Sequence, residues 1–181
     1  NEEGVGRGIR ESGIPREEIF VTTKLWNTDQ GYDSAFKAID LSLSKLGLSY
    51  VDLYLVHWPT ADEEGKKSID KRQGTLKAME EIYKSGKAKA IGVSNYTITH
   101  LEEMKKYATV MPMVDQVEFH PFLYQKELLD YCKKNNIVLE AYRPLTKGKR
   151  LNDKTIESIA KKYGKTDAQI LLRWSIQHGC I

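Results

Sequence analysis

The segment YVDLYLVHWP at residues 50–59 closes an apolar run with His57, Trp58 and Pro59. Its valines, leucines and tyrosines are typical of a strand. The proline cannot extend a strand ladder and is predicted to end the strand. His57 then stands at the carboxyl end of a buried strand, where parallel α/β folds place their chemistry. Taken alone, His57 would be interpreted as a core histidine bonded to a neighbour, so its role depends on how the other strands end.

Strands and helices are predicted to alternate on both sides of this segment. Further strands are expected at 19–23, 88–93, 114–119 and 137–141. Helices are expected at 2–12, 32–46, 75–85, 97–107, 125–135 and 153–163, and a last helix opens at Thr166, which forms a capping-box pattern with Gln169. Residues 60–74 are polar, contain two glycines and are predicted to form a loop. Cys180 and Ile181 look like the first residues of another strand.

The connections between the predicted strands are long, and none is a hairpin turn. Each connection can cross over to a neighbouring strand, so the sheet is predicted to be parallel. Repeating β/α units of this size are what a (β/α)8 barrel requires, and a complete barrel needs about 250 residues. The 181 residues are therefore predicted to have an α/β fold that supplies part of such a barrel.

Composition excludes several classes of protein. The 28 basic and 25 acidic residues give a net charge of +3, which is too balanced to indicate nucleic-acid binding. No apolar run approaches the ~20 residues of a membrane span, and no secretory signal is expected. The two cysteines lack metal-binding spacing, so we expect no metal site and a reducing, cytoplasmic setting. The chain does not begin with Met and is expected to be a piece of a longer protein.

Polar and aromatic side chains follow five successive predicted strands. They are Lys24 with Trp26, His57 with Trp58, Ser94 with Asn95, Gln116, and Tyr142. In a parallel barrel, the carboxyl ends of the strands face a common mouth, so this convergence favours a functional site. Lys24 is the most informative member, because a buried lysine is rare unless it is paired and no carboxylate is adjacent to it in sequence.

Four blocks of sequence resemble the aldo-keto reductases, which are NADPH-dependent (β/α)8 carbonyl reductases, and especially their bacterial diketogulonate-reductase-like branch. The blocks are VTTKLW at 21–26, DLYLVHWP at 52–59, KAIGVSNY at 89–96 and DQVEFHP at 115–121. They occur in the family's order and spacing. The resemblance implies a single barrel domain over residues 1–181, comprising about strands 3 to 7 with their helices. The first two strands and the C-terminal strand, helix and tail are expected to be absent.

The resemblance implies a catalytic tetrad of Asp, Tyr, Lys and His, and Lys24 and His57 match the last two. The Asp and Tyr belong to a family segment of which only Asn1 and Glu2 remain, so both are expected before the first residue. In the implied reaction, the Lys24 ammonium lowers the pKa of the tyrosine that donates the proton. Neutral His57 hydrogen-bonds the carbonyl oxygen and orients it. The 181 residues alone are expected to be inactive.

The resemblance also implies that NADPH is the cofactor. Ser94, Asn95 and Gln116 would hold the nicotinamide carboxamide, because amide side chains offer both donors and acceptors. Tyr142 would stack on the nicotinamide ring.

Two further pairs of residues complete the implied site. Leu145 would lie in the loop over the cofactor pyrophosphate. Arg143 stands where the family usually has Ser, and its guanidinium can pair with phosphate. Trp26 and Trp58 resemble the aromatic walls of the substrate pocket.

The implied function is reduction of aldehydes or ketones to alcohols by hydride transfer from NADPH. The expected partner is a small carbonyl substrate rather than nucleic acid or membrane, and the parent protein is expected to be monomeric. The alternative is a non-catalytic binding or structural barrel of the same family, and the intact pair of Lys24 and His57 argues against it. A Tyr two positions before Asn1, with an Asp five residues further upstream, would support the enzyme.

Overall fold

The computed structural model describes residues 1–59 and 66–181, and these form two compact units, 1–113 and 114–181. Each unit is described by itself below. The loop predicted at 60–74 lies outside the described residues over 60–65. No helix within the described ranges is long and apolar enough to cross a membrane.

The first unit alternates helices with strands. Its elements are α1 (Glu2–Glu11), β1 (Thr22–Leu25), α2 (Tyr32–Leu46), β2 (Val51–Val56), α3 (Lys66–Lys84), β3 (Ala88–Ser94) and α4 (Ile98–Met104). Strand β2 pairs in parallel with β1 on one side and with β3 on the other. It is the central strand, and Leu53, Tyr54 and Leu55 are at most 1% exposed. A strand covered on both faces reads as a nearly continuous apolar run, which explains its sequence.

Helix α3 begins much earlier than the sequence predicted, so the loop expected over 66–74 was wrong. Its first turns bury polar side chains: Ser68, Arg72 and Thr75 are 6%, 7% and 2% exposed. The Arg72 guanidinium donates to both carboxylate oxygens of Glu103 on α4, at 2.9 and 2.6 Å. Because the buried face of these turns is polar, the apolar periodicity that marks a helix in sequence begins only at Leu76.

Strand β1 begins later than predicted. Phe20, which favours a strand by its type, is 70% exposed. The carboxylate of Asp52 accepts hydrogen bonds from the Val21 amide at 2.8 Å and from Arg16 at 2.7 Å. The Val21 amide is therefore held by a side chain, while the Val21 carbonyl accepts from the Asp52 amide at 2.9 Å. Lys24 lies inside the strand, opposite Leu55.

Helix α1 approaches α2 through a glycine. A Cβ atom at Gly6 would lie 2.1 Å from the carbonyl oxygen of Leu46, whereas Gly4 and Gly8 have nothing within 4 Å of such an atom among the described residues. Val5 is 44% exposed. The helix thus packs through the missing side chain of Gly6 rather than through its apolar residues.

The second unit contains two strands and three helices. They are β4 (Val114–Glu118), α5 (Lys126–Lys134), β5 (Val138–Tyr142), α6 (Lys154–Tyr163) and α7 (Asp167–Gln177). Strands β4 and β5 pair in parallel, with Gln116 opposite Glu140 and Glu118 opposite Tyr142. Phe119 and Leu171 are fully buried in its core. The free thiols of Cys132 and Cys180 are also buried.

The ends of α7 follow their sequence signals. The predicted capping box is confirmed, because the Thr166 amide donates to Gln169 at 2.9 Å and the Gln169 amide donates to the Thr166 hydroxyl at 3.2 Å. After the helix, the Ile181 amide donates to the Leu139 carbonyl at 3.2 Å, and the Ile181 carbonyl accepts from the Ala141 amide at 2.7 Å. These two bonds have the pattern of parallel pairing beside β5, but Cys180 and Ile181 are not part of a strand, so the predicted strand stays a prediction.

Candidate active site

Lys24 and His57 line the same open cleft in the first unit, a space of about 520 Å³. Its wall combines the start of α1, strand β1, one face of α2 and the end of β2. The residues that line it are Asn1, Glu2, Thr22, Thr23, Lys24, Trp26, Asp29, Ala38, Leu41, Ser42, Lys45 and His57. The structure thus brings together three of the residues that the sequence singled out: Lys24, Trp26 and His57.

The imidazole of His57 is held at the end of β2 by its backbone and by a neighbouring ring. Its amide donates to the Leu25 carbonyl at 3.1 Å, which continues the pairing of β2 with β1. The Trp26 ring meets the imidazole edge-on, with 4.7 Å between the ring centroids. The buried Nδ1 atom has no hydrogen-bond partner within residues 1–59 and 66–181.

The pKa of His57 is lowered from its ordinary value of 6.5. Burial is the larger cause, because it disfavours the charged ring, and the nearby Lys24 ammonium adds to it. His57 is therefore neutral at pH 7, and a neutral imidazole can donate one hydrogen bond.

Lys24 is half-buried, and among the described residues it forms no ion pair. The sequence predicted that a lysine here would need a partner. Its position on an open cleft removes that need in part, since the ammonium is not fully withdrawn from water.

Ser94 is the last residue of β3 and Asn95 follows it, in the same unit. Asn95 has a left-handed backbone with φ 63°. Its Nδ2 donates to the His57 carbonyl at 2.9 Å and to the Ser94 hydroxyl at 3.1 Å. The side chain that the sequence assigned to a cofactor thus also fixes the backbone of His57. Trp58 does not line the cleft of Lys24 and is 43% exposed.

In the second unit, Gln116 is 9% exposed and is oriented by a residue that the sequence analysis did not single out. Its Nε2 donates to the Glu140 carboxylate at 2.8 Å. This bond settles which end of the amide is nitrogen, because a carboxylate only accepts. Glu140 carried a signal in the sequence, since it is a charged residue inside the apolar run IVLEAY at 137–142.

Arg143 pairs with a second residue that the sequence analysis missed, Glu118. The guanidinium lies 3.1 Å from one carboxylate oxygen, and His120 lies 3.2 Å from the other. Burial alone would raise the pKa of Glu118, but the hydrogen bonds from His120 and Arg143 outweigh it and lower the pKa. Glu118 is therefore an anion at pH 7 that holds Arg143 beside Tyr142, whose ring centroid is 5.5 Å from the guanidinium carbon.

The loop after β5 contains strained backbone. Arg143, Thr146 and Lys147 all have positive φ, at 53°, 52° and 54°. Such conformations are uncommon outside glycine and collect at ligand-binding segments. Leu145 lies within this loop, half-buried, and its carbonyl accepts from the Gly148 amide at 2.8 Å.

The side chains of the second unit fit a nicotinamide dinucleotide. An oriented amide at Gln116 can pair with a carboxamide, a half-buried Tyr142 offers a ring for stacking, and an exposed Arg143 offers charge for a phosphate. Within the described residues, no group of three or more His, Cys, Asp and Glu side chains could hold a metal ion.

The sequence profile of the Aldo/keto reductase family matches residues 1–179. The chain belongs to the aldo-keto reductase family. It is 54% identical to a glyoxal reductase of Bacillus subtilis over 181 residues, a match that covers 100% of this chain and 63% of that relative. The chain thus spans less than two thirds of the length of this relative.

Solved aldo-keto reductases share the fold. The enzyme from Brucella melitensis is 49% identical and superposes with a TM-score of 0.93, over 100% of this chain and 67% of its own. An aldo-keto reductase of Bombyx mori in complex with NADP is 36% identical, with a TM-score of 0.89 over 99% of this chain and 64% of its own. The prediction of a parallel α/β fold that supplies part of the family barrel is confirmed.

Proposed function

We propose that this protein is an NADPH-dependent reductase of aldehydes or ketones. The observation that carries the proposal is the shared cleft of Lys24 and His57, in a chain that belongs to the aldo-keto reductase family. Solved structures show that members of the family bind NADP or NADPH. The lowered pKa of His57, on a cleft shared with Lys24, favours the enzyme over a non-catalytic barrel, because shifted pKa values collect at functional sites.

His57 has the role of a hydrogen-bond donor to the substrate carbonyl. Because burial and Lys24 keep the ring neutral, it can donate to the oxygen without giving up a proton. Trp26, packed edge-on against the imidazole, restricts its orientation. Trp26, which is 55% exposed, would supply aromatic surface for a small substrate on the cleft, and Trp58, which is 43% exposed and does not line the cleft, would extend that surface beyond it.

Lys24 has an electrostatic role. Its ammonium favours the ionised form of a nearby phenol, and this lowers a tyrosine pKa from about 10 towards the range of an efficient acid. Of the family segment that carries the implied tyrosine and aspartate, only Asn1 and Glu2 find a match here. We therefore expect the 181-residue chain by itself to have little reductase activity.

The cofactor supplies the hydride when it is bound. Ser94, Asn95 and Gln116 are the side chains that would hold the nicotinamide carboxamide, and Tyr142 is the ring that would stack on the nicotinamide. Arg143 and Leu145 would lie at the pyrophosphate. Glu140 keeps the Gln116 amide in one orientation.

Glyoxal is the first substrate to test, since the relative at 54% identity is named a glyoxal reductase. The whole protein should oxidise NADPH when supplied with glyoxal, a short aliphatic aldehyde or a ketone. Replacing Lys24 by Met or His57 by Asn should lower kcat/KM by about 100-fold or more, as removal of transition-state donors does. The measurement is the loss of NADPH absorbance, and Lys45→Met, on the same cleft, is the matched control.

The two possible functions give different results in this experiment. A whole protein that binds NADPH by fluorescence titration but turns over none of the carbonyls would favour the non-catalytic alternative. Near-full activity of the 181-residue chain would show that the proton donor lies within it.

A further inference from the structure

The backbone that carries His57 and Trp58 is held by three side chains from three different parts of the chain: the loop after β3, the turn before α2, and α3. The three consecutive carbonyl oxygens of His57, Trp58 and Pro59 each accept one side-chain hydrogen bond. Asn95 Nδ2 donates to His57 at 2.9 Å, Gln30 Nε2 donates to Trp58 at 2.7 Å, and Arg72 Nη1 donates to Pro59 at 3.3 Å. We call residues 57–59 the strand-end segment.

Gln30 and Arg72 are both buried, and Gln30 is buried much more deeply than Trp58, whose backbone it holds. Gln30 is 3% exposed and Arg72 is 7% exposed, whereas Trp58 is 43% exposed. Neither polar group is placed there for a catalytic contact, since neither lines the cleft of Lys24 and His57. Buried polar side chains are retained where they make hydrogen bonds, and these bonds run to the strand-end segment.

The Arg72 side chain is fixed by its own partners, and the backbone next to Gln30 is anchored, although Gln30 Oε1 has no hydrogen-bond partner within the described residues. Arg72 is clamped by Glu103 at 2.9 and 2.6 Å and by the Ser68 hydroxyl at 2.6 Å. Next to Gln30, the Gly31 amide donates to the Thr75 hydroxyl at 2.8 Å, so α3 anchors this donor as well. A hydrogen-bond donor whose own position is fixed limits the movement of the carbonyl group that it binds. A backbone that moves less also limits the movement of its side chains.

We infer that Gln30 and Arg72 are positioning residues, which fix the strand-end segment so that His57 and Trp58 face the substrate in one geometry. The inference rests on the proposed carbonyl reduction. It extends the functional site to two residues that touch neither substrate nor cofactor. It also assigns a role in the site to α3, the helix whose polar first turns were not predicted from sequence.

The test is Gln30→Met, which keeps the length of the side chain and removes its donor. In the 181-residue chain, NMR should show the pKa of His57 rising towards its ordinary 6.5, as the ring gains access to water, together with a shift of the Trp58 indole N–H resonance. In the whole protein, kcat should fall by about 10- to 100-fold, the size expected for a displacement near the chemistry. KM for NADPH should be unchanged.

Two variants complete the design. Gln125→Met removes the same kind of bond in the second unit, where Gln125 Nε2 donates to the Glu118 carbonyl at 2.9 Å, and it should leave both His57 and Trp58 resonances in place. Arg72→Lys keeps the charge beside Glu103 but loses the fork that also reaches Pro59. It should reproduce the shifts if Gln30→Met does not fold.

Unchanged His57 and Trp58 signals in the folded Gln30 or Arg72 variant would overturn the inference. If only the unfolding midpoint fell, these residues would stabilise the fold without positioning the site. Failure of the proposed function would look different: the unmodified whole protein would reduce no carbonyl, while the NMR shifts would still separate Gln30→Met from Gln125→Met.

Discussion

Lys24 and His57 are coupled electrostatically, and a single substitution can measure this. Replacing Lys24 by Met removes an ammonium that lowers the pKa of His57. The pKa should rise but remain below 6.5, because burial is the larger cause and is unchanged. An NMR titration of the imidazole protons checks this. Lys45→Met, on the wall of the same cleft, should leave the pKa in place. An unaltered pKa of His57 in the Lys24→Met variant would mean that the two groups do not interact.

At this scale, the sequence identifies the reactive groups better than it identifies their supports. Lys24, His57 and Gln116 stand in contiguous blocks within or just after strands, where pattern and resemblance both point to them. Glu140 and Gln30 act through neighbours 24 and 28 residues away in sequence. Such pairs form only when strands are in register or when a turn folds back, and neither event has a local signature in the sequence.

The early turns of α3 depend on one buried ion pair, which makes this element testable. Replacing Arg72 by Met should destabilise the chain by about 1–3 kcal/mol, because the half-buried Glu103 would lose both guanidinium bonds and keep only the Tyr107 hydroxyl at 3.1 Å. The matched control is Lys105→Met. It breaks the Lys105–Glu102 pair, whose side chains are 36% and 52% exposed, and it should cost no more than about 1 kcal/mol. The urea midpoints of the two variants make the comparison, and equal midpoints would contradict it.

The same helix shows why element boundaries were only partly predictable. Helices α2 and α6 bury aliphatic residues at helical spacing, and their bounds agree with the sequence to within a residue. Helix α3 buries Ser68, Arg72 and Thr75 first, and a face of polar residues is indistinguishable in sequence from a solvated one. At Phe20 the error had the opposite direction: a strand was predicted too early, because an apolar residue outside the paired strand resembles the start of one.

At the scale of the whole molecule, acidification should lower the stability of the chain. The pKa values of His57 and His100 lie below the ordinary 6.5, mainly because both rings are buried. Below about pH 6.5 the unfolded chain therefore binds more protons than the folded one, and the free energy of unfolding decreases as the pH is lowered. Below pH 4.5 the stability decreases further, because the hydrogen bond from Arg72 keeps the pKa of Glu103 below its ordinary value.

Thermal unfolding measured from neutral pH to about pH 5 tests this. The double variant His57→Asn, His100→Asn should flatten the slope, since Asn cannot take up a proton but retains a hydrogen-bond acceptor at the start of α4, where the Thr97 amide donates to His100 at 3.2 Å. A midpoint that stays constant or rises on acidification of the unmodified chain would show that other groups dominate.

The glycines of α1 differ in how much sequence information each one carries. In a library that samples every amino acid at these positions, Gly6 should be recovered almost alone, because any Cβ would meet the Leu46 carbonyl at 2.1 Å. Gly4 and Gly8 meet nothing within 4 Å among the described residues, and Ala there should be enriched, since it gains about 0.5–1 kcal/mol in a helix interior. Packing against α2 thus requires glycine at position 6, whereas the glycines at positions 4 and 8 can be replaced to stabilise the helix.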